Sequence, residues 1–341
     1  MPFSGAARPN DGGTVGVVSD DDAARRSRLN GLKLRALVRD HLGVDDAPDP
    51  VEFAPGAALI TADSAWVFLD DQPAKRLGAA LLWAMRQGAG HLHVIAESGT
   101  GQLARRAGEF ELPVEVWHAA GRDLLPAVAE PLPDPVPAPD HHEAFRQLIV
   151  DGGAEPFVEH GVLVGEVRGL EVCRVVDDPH TETTRLEVGV GAHDREAFQM
   201  LHGDVPTVES LARIVETVVR HRAVDAPQHP LNRIGAERFV RWRIIADPSL
   251  VGLESVVPVP PPVPRPNLKD PVPCVALGDG PDGRRVLVCS SGVDLDLVPF
   301  AADAALAHDG HLVLVLPERD QVPAVEELAA MLRRPTTFAT I

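Results

Sequence analysis

Three glutamates set up the sharpest chemistry in this chain. Glu171 and Glu187 fall on neighbouring predicted strands, 170–176 and 185–190, and Glu143 sits on the helix predicted just before them, over 141–152. What chemistry they could share depends on whether they converge in space. Glu159, on the strand predicted over 156–159, is a further acid that could join the set. His193-Asp194 with His202 and Asp204 form a second candidate, because imidazole and carboxylate ligate Zn²⁺ or Mn²⁺. The two histidines straddle a short predicted helix, 194–202, and do not share a face as an i, i+4 pair would. His141-His142 adds little on this reading, since adjacent residues point in different directions.

Helix, three or more strands, then helix is also the element order of the restriction-endonuclease-like core, and about 100 residues of the middle of the chain resemble it. The resemblance implies a metal-dependent nuclease in which Glu171 and Glu187 hold Mg²⁺ or Mn²⁺ and Glu143 joins them in the catalytic set. It places Glu187-Val188-Gly189 where the family has its acid-x-lysine motif, but the lysine is missing. Lys33, Lys75 and Lys269 are the only lysines in the chain. Arg174 or Arg195 supplies positive charge, yet a guanidinium does not shift its pKa as an ammonium does. The competing reading is of glutamates solvated on strand faces.

Other polar clusters fit structural duties. Ser98-Gly99-Thr100-Gly101 joins a strand to a helix, where backbone amides bind phosphate, but it matches neither dinucleotide nor P-loop spacing. Cys289-Ser290-Ser291-Gly292-Val293-Asp294-Leu295-Asp296 ends a predicted strand, and Asp70-Asp71 stands near the equivalent place earlier in the chain. Carboxylates just past strand ends are common ligand positions in open α/β sheets and common helix-start residues. Arg233, Arg238, Arg241 and Arg243 surround Trp242 in the densest polar-aromatic stretch. Arg238, Arg241 and Trp242 are candidate interface anchors, or a lock between modules.

The elements that must position these groups repeat. Gly90-His91-Leu92-His93-Val94-Ile95 returns as Gly310-His311-Leu312-Val313-Leu314-Val315, an offset of 220 residues. An alanine-rich helix precedes each copy, and a second helix and a short strand follow each. The expected fold is α/β (α+β): two related ββαβαβ outer units flanking a distinct, β-rich α+β middle module. The expected boundaries are a disordered tail over 1–28, an N-terminal unit over 29–130 and a Pro-rich linker over 131–140. The middle module over 141–250, a second Pro-rich linker over 251–273 and the C-terminal unit over 274–341 complete the order.

A formal charge of −18 disfavours nucleic acid as a partner. No apolar run reaches the roughly 18 residues of a membrane span, and no secretory leader is legible, so a cytoplasmic chain is expected. Three cysteines without metal or CxxC spacing read as buried thiols. With 29 arginines against three lysines and no tyrosine, composition points to a GC-rich bacterial genome. The expectation is a non-catalytic interaction or scaffold protein without a cofactor, binding a protein partner or itself. The alternative is the metal-dependent hydrolase.

Overall fold

In a computed structural model, the described residues are 20–54, 56–178, 182–191, 195, 207–224, 226, 229–265, 271–281 and 283–341. The chain opens with α1 (Asp20–Leu42), so the second part of the expected disordered tail is helical. Strands β1 (Val51–Glu52), β2 (Gly56–Thr61) and β3 (Ser64–Leu69) follow, then α2 (Leu77–Arg86) and β4 (His91–Ala96). Next come α3 (Thr100–Ala107), β5 (Val114–Ala120) and β6 (Asp123–Pro126). The six strands form one sheet in chain order, with β3, β4 and β5 parallel and the remaining pairs antiparallel. Strand alternation gives this sheet two apolar faces. Leu34, Leu37 and Val38 of α1 cover Trp66, Phe68 and Ile95 on the outer face. Val67, Leu69, Leu92 and Val94 turn inward.

The middle module contains α4 (Asp140–Glu143), α5 (Arg146–Asp151), β7 (Glu155–Glu159), β8 (Val162–Val167), β9 (Leu170–Asp178), β10 (Thr183–Val188) and α6 (Thr207–His221). Its four strands form an antiparallel meander, with Ile149 of α5 and Leu211 and Val218 of α6 packed against one face. His193, Asp194, His202 and Asp204 lie outside the described residues.

The remaining elements are α7 (Ala236–Ala246), β11 (Ser255–Val259), β12 (Cys274–Gly280), β13 (Gly283–Cys289), α8 (Leu297–Ala307), β14 (His311–Leu316), α9 (Pro323–Ala330) and β15 (Thr336–Thr340). Here the structure departs from the expected boundaries. Residues 255–259, expected in a linker, are the edge strand β11, and an edge tolerates Pro258. Helix α7, expected in the middle module, lays Val240 and Ile244 on the outer face of the C-terminal sheet, against Ala276, Leu287 and Val313. It stands on that sheet as α1 stands on the first.

The inner faces of the two outer sheets meet through their helices. α2 and α3 pack on α8 and α9, and one continuous core runs from Val67 and Leu92 to Val286 and Leu314. Strand order and direction agree between β1–β5 and β11–β15. Across the junction Phe110, just before β5, forms an antiparallel bridge with Leu332, just before β15. Asp303, alone among apolar residues of α8, is fully buried and takes Arg105 (2.9 Å) and Arg106 (2.7 Å) from α3 of the other unit. Removing one partner of such an ion pair leaves uncompensated buried charge, at about 3–5 kcal/mol. Asp303→Ala should therefore lower the unfolding free energy by about that amount in urea titrations, and both outer sheets should melt in the same transition.

Candidate functional site

An opening of about 1060 Å³ lies where the two outer units meet. Its floor is the segment after β13, Ser290 to Asp296, and the segment after β3, Gln72 to Arg76; the ends of parallel strands give it the position at which open sheets bind ligands. Both Pro-rich stretches close its sides, through Pro131 to Asp134 and through Val263, Pro264 and Pro271 to Pro273. The first stretch is held against the body: Arg105 Nη1 donates to the carbonyls of Glu130 (2.7 Å) and Pro131 (3.2 Å).

The carboxylates of Asp294 and Asp296 belong to the acidic run read from the sequence, and the fold gives them unusual surroundings. Asp296 precedes α8 but does not cap it with its side chain. Its Oδ1 instead accepts from Gly78 N, 3.0 Å away at the start of α2 in the opposite unit. A Cβ on Gly78 would lie 2.1 Å from the Leu295 carbonyl oxygen, so only glycine admits this approach. Burial raises Asp296 to about 7, with Asp294 beside it pushing the same way against the Gly78 hydrogen bond. Burial also raises Asp294 and Glu237, two further acids of the wall. Facing them, Arg76 Nε is buried without a hydrogen-bond partner among the described residues. The site thus combines a carboxyl group that changes protonation near neutrality with an unused guanidinium donor.

The glutamates singled out by sequence do meet, but on arginines. Glu171 is wholly buried and binds Arg174 (2.6 Å), Arg195 (3.4 Å) and Arg265 (3.5 Å). Glu187 shares Arg195 at 3.4 Å and also takes Arg185 at 2.9 Å. Arg195 therefore stands between the two carboxylates where the nuclease resemblance puts an ion. Glu143 is outside this group and pairs with Arg146 at 2.6 Å. Glu159 binds Arg238 and Arg265, and Glu166 binds Arg238 and Arg241. Burial pushes Glu159 up, but Arg238 and Arg265 outweigh it and hold the carboxyl at about 2. Arg238 and Arg241 of α7 are thus spent inside the molecule, joining the C-terminal unit to the middle sheet. Trp242 stacks on Phe239 with Arg168 over its ring.

The remaining candidates are placed as follows. Gly99 takes the left-handed conformation that starts α3, and the Glu130 side chain lies close on Gly101. Asp70 accepts from Asn30 at 3.0 Å and so ties α1 to the first sheet. His141 and His142 both turn Nε2 onto Asp177, at 3.0 and 3.1 Å, because Asp177 lies across the bend between them. Their divergent directions in the sequence reading are corrected by this shared partner. Sequence reasoning also passed over Asp303, although a single charge inside an apolar helix signals a buried partner. No membrane-spanning helix occurs among the described residues. Comparison with protein families, curated proteins and solved structures gives no match to this chain.

A carboxyl raised from 3.8 to about 7 keeps its proton in the folded chain where the unfolded chain loses it. Its contribution is full below the unfolded value and is lost as pH rises through 7. Wild type should therefore lose roughly 1–2 kcal/mol relative to Asp296→Asn between pH 4 and pH 7.5, the full shift being discounted for partial exposure. Paired urea titrations across that range measure it; a flat difference would place the carboxyl in ordinary solvent.

Proposed function

We propose that this chain is a non-catalytic interaction protein that receives a short extended segment of a protein partner in the cleft between its outer units. The observation that carries the reading is the unpartnered Arg76 Nε beside protonatable Asp294 and Asp296, in an opening walled by Pro-rich chain. An extended peptide offers carbonyls and N–H groups in alternation. Arg76 Nε would donate to a carbonyl, and the carboxyl groups would accept or donate according to their charge. Phe300, Val263 and the prolines supply apolar contact. A net charge of −18 supports neutral or basic partners over nucleic acid.

The hydrolase reading has weaker support. A metal ion at Glu171 and Glu187 must displace Arg195, and Glu171 would also have to give up Arg174 and Arg265.

The two readings separate in one set of measurements. A pooled library of extended heptapeptides should raise the unfolding temperature of wild type, by about 2.7 kcal/mol of added stability at 100 times the dissociation constant. Ser291→Trp, which fills the cleft, should abolish the shift. Incubation with peptide, phosphoester and nucleic-acid substrates in Mg²⁺ or Mn²⁺ should yield no product. Turnover that disappears in Glu187→Gln would establish the hydrolase in place of this reading.

A further inference from the structure

His91, His93 and Glu115 gather on the outer face of the first sheet, away from the cleft. The strand repeat places them: His91 and His93 are two apart on β4 and share a face, and Glu115 on β5 is the direct neighbour of His93. His91 Nε2 lies 3.4 Å from Glu115 Oε1, and His93 Nδ1 lies 3.4 Å from Glu115 Oε2. All three ligand atoms fall within 4.8 Å of one another.

We propose that His91, His93 and Glu115 form a binding site for a divalent transition ion of the Zn²⁺ class. Two imidazoles and a carboxylate are a zinc ligand set, leaving one position of a tetrahedron open. Ligand bonds of about 2.0–2.2 Å put the corners of that tetrahedron about 3.3–3.5 Å apart; each histidine nitrogen lies 3.4 Å from a different oxygen of the carboxylate, and one donor atom from each residue lies within 4.8 Å of the others, so small side-chain adjustments close the set on an ion. A hydrogen-bonded cluster would be tighter. His141, His142 and Asp177 form such a cluster at 3.0–3.1 Å, where two ring protons already satisfy the carboxylate.

The histidines are prepared as ligands. His91 Nε2 is buried without a hydrogen-bond partner among the described residues. Trp117 Nε1 donates to His93 Nδ1 at 3.2 Å, which assigns the ring proton to Nε2 and leaves a lone pair on Nδ1. The ion takes that lone pair, and the indole gives up its bond. Trp66 stacks on His93 with ring centroids 3.7 Å apart and fixes its plane.

The second outer unit shows what the same position looks like without a site. There Leu287, Val313 and Thr337 occupy one row across three strands, and His311 Nε2 bonds to Thr337 Oγ1 at 3.0 Å. The polar triad belongs to the first unit alone.

The test is titration of the untagged full chain with Zn²⁺ by calorimetry, and with Co²⁺ by visible absorption and tryptophan fluorescence. Wild type should bind one ion whose arrival alters the emission of Trp66 and Trp117. Glu115→Gln and His91→Gln, both at partly exposed side chains, should each weaken binding at least tenfold with unchanged circular dichroism. Asp177→Asn should bind as wild type does. Wild-type affinity in both Glu115→Gln and His91→Gln, loss of binding confined to Asp177→Asn, or no binding at millimolar metal would each overturn the site.

Discussion

A carboxylate shut away from water stays charged only where cations meet it, and Asp303 meets two from across the molecule. That requirement fixes how α8 lies against α3, and with it how the two outer sheets face each other. The apolar helices supply most of the adhesion, because burial of aliphatic side chains is the dominant favourable term. They do not by themselves select one orientation. The paired charges, the bridge between Phe110 and Leu332, and the tight approach at Gly78 do.

The cleft is a consequence of that docking. The segments that follow β3 and β13 in the two units both line it. Asp296 reaches across to the first turn of α2, so a residue of one unit completes a helix of the other. The second ionic network does the same for the middle sheet. Glu159, Glu166 and Glu171 are buried at its surface, and Arg238, Arg241 and Arg265 arrive from the C-terminal unit and the segment beyond β11 to meet them.

Strands and helices with strong local patterns were legible in the sequence. The apolar runs at 91–96 and 311–316 are short and largely continuous, as suits parallel strands covered on both faces. What the sequence hid is long-range. Helix α7 carries four charged residues and looks like a polar member of the middle module, until Glu159 and Glu166 are seen to neutralise Arg238 and Arg241. Pro258 suggested a linker because an edge strand cannot be told from one without its neighbour. Glu171 and Glu187 looked like metal ligands because the sequence does not show that Arg174, Arg185 and Arg195 close on them, and Arg265, which also binds Glu171, lies 94 residues away. His91 and His93 were visible as an alternating pair; Glu115 became their partner only through the register of β4 against β5.

The central claim is that both outer units form one cooperative body. Native-state hydrogen exchange in rising urea measures it through the amides of Val94 in β4 and Leu314 in β14, each central to its sheet. A shared core predicts that both amides open with the same free energy and the same dependence on urea, at the level of global unfolding. Exchange of one sheet through a smaller opening, while the other stays protected, would contradict it.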